Sequence, residues 1–190
     1  MFDLQTILRL SFFVASLTGV VAIFFLSLLT AIDKSLQFFP PPNTESWQHG
    51  TFVWLFRLYL YPLIALSLFT IEQTADHRLI WQYSLGTLLV VAGFGLALWI
   101  TFQMGWRSAF GEKSELRTDG WFQWSRNPIY VATWVGMIGW GLIANDGLIS
   151  ILLLLWAMMY LIAPFFEEPW LEKQYGDEYV AYKARTRRFI

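Results

Sequence analysis

The stretch Arg126-Asn127-Pro128-Ile129-Tyr130, together with the acid pair Glu167-Glu168, decides how this chain is organised. The pentad stands between two apolar segments of membrane length, and the acid pair directly follows another such segment. Polar and ionisable groups are costly to place near lipid and commonly mark functional sites there. We therefore predict that the two motifs meet on one side of a membrane and form the binding site of a soluble ligand.

The composition is that of an integral membrane protein. Of the 190 residues, 56% are hydrophobic and only 14% are charged, whereas about 25% are charged in a typical soluble domain. The net charge of −1 gives no reason to expect a nucleic-acid partner. Cysteine is absent, which excludes disulfides, thiolate metal sites and a cysteine nucleophile. The two histidines, His49 and His77, are too few and too scattered to indicate a metal site.

Five apolar segments are candidates for crossing the bilayer, since a spanning helix needs about 20 residues. Pro128 suits the first turn of the fourth segment, and Asn145-Asp146-Gly147 is a tight turn that makes the fourth and fifth an antiparallel hairpin. We predict an all-α integral membrane protein, one domain over residues 1–190, with a C-terminal amphipathic helical tail. The predicted spans are residues 7–32, 51–71, 80–102, 128–144 and 148–166.

Basic residues decide the orientation, because cytosolic loops carry an excess of Lys and Arg. Five spans place the two ends of the chain on opposite sides. One side holds ten basic residues, namely Lys34, Arg107, Lys113, Arg117, Arg126, Lys173, Lys183, Arg185, Arg187 and Arg188, and the other holds Arg9 and Arg78. We predict that the N-terminus lies outside, and that the C-terminus and both motifs lie on the cytosolic side.

The acid pair is the sharper of the two signals, because acids contribute little to orientation and neighbours on a helix do not share a face. Pro169 disfavours helical geometry at Glu168, so we predict that the fifth span breaks there, and that Pro164 kinks it one turn earlier. A broken helix end with two carboxylates suits a cationic group. Alternatively, the acids cap the span and pair with Arg126 or with the tail arginines.

The tail that follows the acid pair has aromatic and apolar residues at helical spacing. We predict that Gly176 ends one short helix and that Asp177 caps the next. The stripe either lies on the headgroups as an amphipathic helix or folds back as a lid over the spans. We interpret Arg185, Arg187 and Arg188 as contacts to anionic lipid. The stripe consists of Leu171, Tyr175, Tyr179 and Tyr182.

Arg57 is the one charge well inside a predicted span. A charge at such a position faces the bundle interior or a water-filled cavity by default, so we predict that Arg57 lies in a substrate site. Glycines at positions 93, 95, 136, 139 and 141 also lie in spans, where small residues allow close helix packing or leave room for a ligand.

Taken together, these motifs resemble the superfamily of integral membrane enzymes that contains the isoprenylcysteine carboxyl methyltransferases and the phospholipid methyltransferases. Gly93-Phe94-Gly95 also looks like the Gly-x-Gly that the phospholipid branch places in its cofactor site. The other motifs that carry the resemblance are Leu116-Arg117-Thr118-Asp119-Gly120, the pentad, Glu167-Glu168-Pro169-Trp170-Leu171, Tyr175-Gly176-Asp177-Glu178-Tyr179, Tyr182 and Arg187-Arg188-Phe189-Ile190.

Two positions depart from the family pattern. The family has Arg-His-Pro where this chain has Asn127 in place of the histidine. Because an amide cannot hold a proton near neutrality, a mechanism that needs a titrating histidine there is excluded. The eukaryotic branch also has a tryptophan at the position of Met137, which argues against a specific assignment of prenylcysteine as the substrate.

The resemblance implies S-adenosylmethionine as the methyl donor. By likeness, Glu167 and Glu168 would bind its ammonium group, Arg126 would face an anionic group, and aromatic residues would enclose the adenosine. The residues that it places in catalysis are Arg126, Glu167 and Glu168. Those that it places around the cofactor are Arg126, Asn127, Pro128, Tyr130, Glu167, Glu168, Leu171, Tyr179, Tyr182, Gly93 and Gly95.

The methyl acceptor is expected to be lipophilic and to enter laterally from the membrane. Candidates are a prenylcysteine-like carboxylate, a lipid amine or a small thiol. Residues 1–102 would line its path, with Arg57 as a candidate contact, and residues 103–190 would bind the cofactor. Two alternatives stay open at this point. One is a membrane reductase of the related sterol-reductase group that uses NADPH, and the other is a non-enzymatic scaffold or small transporter.

Overall fold

The computed structural model describes residues 3–74, 79–105 and 115–190, and within these residues it is helical with no strand. A short 3₁₀ turn at Gly120–Gln123 precedes the fourth helix. The helices are α1 (Leu4–Ile32), α2 (Trp47–Thr74), α3 (Ile80–Met104), α4 (Pro128–Ala144), α5 (Gly147–Tyr175) and α6 (Asp177–Arg185). The predicted all-α architecture is confirmed.

Four of these helices, α1, α2, α3 and α5, are long and apolar enough to cross a membrane. The fourth predicted span, α4, is apolar but has only 17 residues. At 1.5 Å per residue it is about 25 Å long, somewhat less than the roughly 30 Å of a hydrocarbon core. Its first residue is Pro128, as the sequence predicts.

The α4–α5 hairpin is confirmed, and it defines one end of the bundle. Asn145 adopts a left-handed conformation with φ 43° and ends α4. Asp146 then caps α5, its side chain accepting hydrogen bonds from the amides of Leu148 and Ile149. The same carboxylate forms an ion pair with Arg9 near the start of α1. The beginning of α1 therefore lies beside the α4–α5 turn.

Arg126 and Glu168 lie at the opposite end, which we call the Glu168 end, since Arg126 precedes α4 and Asp146 follows it. This arrangement of ends is the one that the predicted topology requires. Which end faces the cytosol stays a prediction. Three of the basic residues used for it, Arg78, Arg107 and Lys113, lie outside the described residues, as does His77.

The bundle is built from two helix pairs joined by α5. In the first pair, α1 packs on α2, and in the second α3 packs on α4. The α3–α4 contact depends on glycine, because a Cβ atom on Gly93 would collide with the backbone of Gly136. Close approach of backbones through small residues is a common form of packing in membranes.

Tyr59 of α2 links the first helix pair to α5. Its side chain is fully buried, and its hydroxyl donates to the carbonyl of Leu152 at 3.1 Å. Its own carbonyl accepts from Ser16 Oγ of α1 at 2.8 Å. The ring of Trp156 packs edge-on against Tyr59, with centroids 5.7 Å apart. These contacts fix α5 against α1 and α2.

The predicted break of the fifth span at Glu168 is wrong. Helix α5 continues through both Pro164 and Pro169 to Tyr175. Each proline removes one backbone hydrogen bond, and membrane helices tolerate this where neighbouring groups satisfy the freed carbonyls. Gly176, with φ 56°, does end a helix as predicted, but this helix is α5 itself rather than a separate short one.

Two further predictions on local structure are corrected. Asp177 is the first residue of α6 rather than its cap, and Gly176 holds the capping position without a side-chain hydrogen bond. Arg57 does not face the interior: it is exposed on the outer side of α2, between Trp54 and Tyr61, which are 62% and 61% exposed. The opposite side of that helix carries the buried Tyr59, and the helical repeat turns Arg57 away from it.

Candidate functional site

A cavity of about 1150 Å³ opens at the Glu168 end and extends between the helices. Its polar part is formed by the start of α4, the end of α5 and helix α6. Its deeper part is apolar and reaches Trp140 and Trp156. Of the eleven residues predicted to bind a cofactor, nine line this cavity, namely Arg126, Asn127, Pro128, Tyr130, Glu167, Glu168, Leu171, Tyr179 and Tyr182.

The two exceptions are Gly93 and Gly95. Gly93 is buried in the α3–α4 contact, and a Cβ atom on Gly95 would meet nothing within 4 Å. Neither residue lines the cavity. In this structure the Gly-x-Gly motif therefore serves helix packing at its first position. Only the residue between the two glycines, Phe94, reaches the cavity wall.

The two acids of the pair point in different directions, as neighbours on a helix must. Glu167 lies on the face of α5 that also presents Trp156 and Tyr160 to the cavity. Glu168 is turned toward α6 and the residues after it, and it is buried, with only 5% of its surface exposed. The pair therefore divides into two carboxylates with separate surroundings.

Glu168 is held by two arginines. Arg126 Nη2 lies 2.7 Å from its Oε1, while Arg188 contacts both oxygens, with Nε at 2.7 Å and Nη2 at 2.8 Å. The hydrogen bonds to Glu168 raise the pKa of the Arg188 guanidinium above its usual value. The alternative that an acid pairs with Arg126 and a tail arginine is thus confirmed for Glu168. For Arg188, the interpretation as a lipid contact is wrong.

Arg126 and Asn127 also hold the last turn of α6 and residues 186–190, which we call the tail strap. Arg126 Nη1 donates to the carbonyls of Lys183 and Thr186, at 3.0 and 2.8 Å. The amide of Asn127 donates through Nδ2 to the carbonyl of Arg188 at 2.9 Å. Asn127 is the position at which the family pattern has histidine, and here its donor is bound to the strap.

Ring contacts fix the rest of the tail strap. Phe189 packs against Trp134 of α4 with the ring centroids 5.0 Å apart. The guanidinium of Arg188 lies 4.2 Å above the ring of Phe165, a favourable cation–π geometry. The strap therefore crosses from α6 to the start of α4 and holds these two elements together beside Glu168.

Glu167 has a different environment. Its Oε1 accepts a hydrogen bond from the Tyr130 hydroxyl at 2.6 Å, and the Tyr130 ring stacks on Tyr160 with centroids 4.3 Å apart. Among the described residues, Glu167 forms no ion pair, whereas Glu168 forms three. A carboxylate at a cavity wall can form charge-assisted hydrogen bonds with a positively charged group that enters the cavity.

Helix α6 covers the polar end with two buried tyrosines. Tyr179 is 2% exposed and Tyr182 is 3% exposed. The Tyr182 hydroxyl donates to the carbonyl of Phe122 at 2.7 Å, which ties α6 to the 3₁₀ turn. Burial raises the pKa of Tyr182 to about 12, so the hydroxyl stays protonated and able to donate at neutral pH. The aromatic stripe of the tail thus packs onto the bundle.

Sequence reasoning assigned an acceptor path to residues 1–102 as a whole but did not identify the individual residues of the apolar wall. These side chains come from α1, α2, α3, α4 and α5, and nothing in a chain with 17 phenylalanines and 11 tryptophans distinguishes them. The segment between α1 and α2 also contributes, through residues 39–41. The aromatic residues of the wall include Phe24, Phe56, Phe94, Trp140 and Trp156.

Comparison with curated proteins and with solved structures gives no match. A sequence model of the family described as phospholipid methyltransferase matches residues 81–178, just over half of the chain. The matched region runs from α3 to the start of α6 and includes both the pentad and the acid pair. The resemblance seen in the sequence is thereby confirmed, and the chain belongs to the phospholipid methyltransferase family of membrane methyltransferases.

Proposed function

We propose that this protein transfers a methyl group from S-adenosylmethionine to a lipophilic acceptor held in the apolar part of the cavity. The family supports methyl transfer in general, and the donor and the class of acceptor are our inference. The observation that carries it is the contrast within the acid pair. Glu168 is neutralised by Arg126 and Arg188, while Glu167 faces the same cavity with no cationic partner in the part of the chain that the structure describes.

The residues at the polar end fit this donor, which carries an ammonium group and an adenosine. Glu167, supported by Tyr130, would accept hydrogen bonds from the ammonium group, and such charge-assisted bonds are strong when shielded from water. Leu171, Tyr179 and Tyr182 would enclose the adenosine. The cavity of about 1150 Å³ exceeds the roughly 300–1,000 Å³ of a typical ligand site, which leaves room for a second molecule.

Arg126 and Glu168 are better assigned as positioning residues than as cofactor ligands. The two Nη atoms of Arg126 are engaged, and its Nε atom is buried without a partner. Glu168 is occupied on both oxygens by Arg188. The resemblance implies that both acids bind the ammonium group, but we therefore assign this role to Glu167 alone. The other acid holds the tail strap against α4.

The chemistry asks little of the protein beyond alignment. Bound S-adenosylmethionine supplies a methyl group on a positively charged sulfur, which is already activated toward a nucleophile. Alignment of two reactants in a protein site can lower a barrier by roughly 7–11 kcal/mol. Asn127 cannot act as a base, so we assign it the task of fixing the strap, and the aromatic wall the task of excluding water.

Binding of S-adenosylhomocysteine, followed by thermal unfolding in detergent, tests this proposal. We expect stabilisation of the wild-type protein and a loss of affinity of about 10- to 100-fold in Glu167→Gln, as expected for a charged hydrogen bond worth about 1.5–3 kcal/mol. Glu172→Gln is the matched control, because this acid lies one turn further along α5 and pairs with Lys183. Its affinity should equal that of the wild type.

The same measurement separates the alternatives. No stabilisation of the wild-type protein by S-adenosylhomocysteine would count against the methyltransferase proposal and favour a non-enzymatic role. Stabilisation by NADPH alone would favour the reductase. A highly anionic dinucleotide is a poor match for the Glu167 carboxylate, which accepts a hydrogen bond from Tyr130 and has no cationic partner among the described residues, and this is why we assign the methyl donor to this place.

A further inference from the structure

We propose that the outward face of α2 binds the phosphate group of an anionic phospholipid, with Arg57 as the charged contact and with Trp54 and Tyr61 on either side of it. This inference does not depend on the proposed methyl transfer. Arg57 lies outside the residues that the family model matches, and it does not line the cavity. Methyl transfer therefore leaves this charge without a role.

The outward face of α2 follows from the helical repeat. Its exposed residues are alternately three and four positions apart, which is the spacing of a single helical face. The buried residues of the same helix, among them Leu55, Tyr59 and Leu63, form the opposite face. Arg57 is thus on the outer side of a helix that is long and apolar enough to cross a membrane. The exposed residues of this face are Trp54, Arg57, Tyr61, Ile64 and Leu68.

The charge of Arg57 is not compensated by the described part of the chain. Arg57 forms no hydrogen bond or ion pair with any residue that the structure describes. A cation on a membrane-spanning helix is costly unless it is paired or hydrated. The guanidinium group presents its N–H donors as a planar fork, which matches the oxygens of a phosphate. A phosphate in the bilayer beside α2 would therefore supply the missing partner.

The position of Arg57 along α2 brings the headgroups of one leaflet within reach. Helix α1 begins beside the α4–α5 turn, so it ends at the Glu168 end, where α2 begins. Arg57 is ten residues after Trp47, the first residue of α2, which is about 15 Å along the helix axis. Because Cα–Cβ bonds tilt toward the N-terminus of a helix, its side chain leans back toward that end. The apolar stem can then stay in lipid while the guanidinium reaches the headgroup level.

Two aromatic residues flank Arg57 on the same face. Trp54 lies three positions before it and Tyr61 four positions after it, so both are its neighbours on the helix surface. Such amphipathic rings are typical of the membrane–water interface. Trp54, one turn nearer the Glu168 end, can donate its indole N–H to the same phosphate. Tyr61, one turn deeper, would pack beside the first carbons of the acyl chains.

The distribution of acids favours a lipid over a second copy of the chain. Of the four acids in the described spans, three belong to the last part of α5, where they face the cavity, the tail strap or Lys183. The fourth lies at the other end of α2, fifteen residues beyond Arg57. A second copy in the same orientation therefore presents no acid from its described spans to Arg57. The four acids are Glu72, Glu167, Glu168 and Glu172.

The net charge of the headgroup decides which lipid fits. A zwitterionic headgroup carries its own cation, which already compensates its phosphate. An anionic headgroup has no such cation and is attracted to basic side chains at the membrane surface. The uncompensated guanidinium of Arg57 therefore favours a lipid of net negative charge.

Native mass spectrometry of the full chain in detergent tests this site. Phosphatidylglycerol is titrated into the protein and the affinity for the first bound lipid is measured, with phosphatidylcholine of the same acyl chains as the comparison. Arg57→Gln removes the charge, and Arg57→Lys keeps the charge but lacks the planar fork. Lys173→Gln is the matched control, because it removes one exposed positive charge near the end of α5, also at the Glu168 end.

We expect the wild type to bind phosphatidylglycerol about ten-fold more tightly than phosphatidylcholine, as a charge-assisted hydrogen bond allows. Arg57→Gln should lose this preference, Arg57→Lys should retain part of it, and Lys173→Gln should equal the wild type. Equal affinities of the wild type and Arg57→Gln for phosphatidylglycerol would overturn the proposal, as would equal affinities of the wild type for the two lipids.

A phosphatidylglycerol with a diazirine in its acyl chain locates the bound lipid. After irradiation, we expect adducts on residues 54–68 in the wild type and their loss in Arg57→Gln. Adducts that avoid this segment would contradict the site even if the affinities change.

The oligomeric state and the stability of the lipid-free proteins complete the test. Because Arg57 has no partner among the described residues, Arg57→Gln should melt at the temperature of the wild type and bind S-adenosylhomocysteine equally well. A wild-type dimer that Arg57→Gln converts to a monomer without lipid would show that a second copy occupies this face, and the lipid proposal would fail. Arg57→Lys keeps the comparison possible if the neutral variant does not fold.

Discussion

At the scale of single residues, the two carboxylates of the acid pair have opposite energetic roles. Arg126 and Arg188 compensate the charge of Glu168, and the Glu168 side chain is only 7% exposed. Removing one partner from a buried ion pair leaves the others with uncompensated charge, which typically costs about 3–5 kcal/mol. For Glu167 the compensating charge would arrive with a ligand. Glu168 is therefore expected to contribute to stability, and Glu167 is proposed to contribute to binding.

Glu168→Gln should destabilise the ligand-free protein by several kcal/mol, because Arg126 and Arg188 would then face each other without a carboxylate between them. Thermal unfolding in detergent measures the loss. Glu172→Gln is again the control, since its partner Lys183 is 40% exposed and such surface pairs contribute roughly 0–1 kcal/mol. Equal melting temperatures for the two variants would contradict the role assigned to Glu168.

Helices form the next scale, and here the α3–α4 contact is the closest in the bundle. Gly93 and Gly136 lie against each other, and Gly139 of α4 meets the backbone of Gly86 in the same way. Because α4 also carries Tyr130 at its start, the position of this helix sets the geometry of the polar end. Packing between α3 and α4 is thus linked to the site through one rigid element.

Gly93→Val and Gly95→Val form a matched pair of variants. The first side chain would meet the backbone of Gly136, whereas the second would meet nothing within 4 Å. We expect Gly93→Val to lower stability by about 1–3 kcal/mol or more, as overpacking does, and Gly95→Val to change it by less than about 0.5 kcal/mol. Thermal unfolding with and without S-adenosylhomocysteine provides the measurement.

If Gly95→Val left the stability of the ligand-free protein unchanged, as expected, but abolished stabilisation by S-adenosylhomocysteine, the Gly-x-Gly motif would contact the cofactor. That result would require α3 to move from the position described here. The pair of variants thus separates packing from binding at two positions only two residues apart.

Across the helices, the sequence predicts what depends on length and local chemistry. The spans follow from apolar length, and the α4–α5 turn from Asn145-Asp146-Gly147, so both are recovered. The break at Pro169 is predicted wrongly, because a local rule cannot include the neighbours that stabilise a continuous α5. The outward direction of Arg57 is also missed: the residues around it on α2 are apolar, so no alternation in the sequence marks which face is buried.

The site shows the same division. Nine of the residues that the motifs predict to bind a cofactor line the cavity, because the order of these motifs along the chain is specific. The partner of Glu168 could not be assigned from the sequence, since several arginines follow it and the choice of Arg188 depends on how residues 186–190 fold back.

The whole molecule raises the question of which end faces the cytosol. The start of α1 and the last residues of the chain lie at opposite ends of the bundle. The count of basic residues predicts that the Glu168 end faces the cytosol. A cytosolic site also matches a soluble cofactor. The orientation is a prediction that can be checked without any assay of activity.

A reporter that works only in the cytosol, such as a fluorescent protein, should be active when it is fused after Ile190. A reporter that works only after export should be inactive at the same position. A second fusion after Ala144, between α4 and α5, should give the reverse result. If both fusions reported the same side of the membrane, the α4–α5 hairpin would be contradicted. If each fusion reported the side opposite to the one expected, the Glu168 end would lie on the outer side.

The ion pair between Arg9 and Asp146 has a mechanical consequence. It joins α1 to the α4–α5 turn at the end of the bundle far from Glu168, so it acts as a pivot for a helix that otherwise packs mainly on α2. A tilt of α1 by five degrees about this point would move Leu28, nineteen residues further on, by about 2–3 Å, given a rise of 1.5 Å per residue. The same tilt would leave the pivot unchanged. The part of the cavity wall that Val21, Phe24 and Leu28 form would therefore shift with any tilt of α1 about this ion pair.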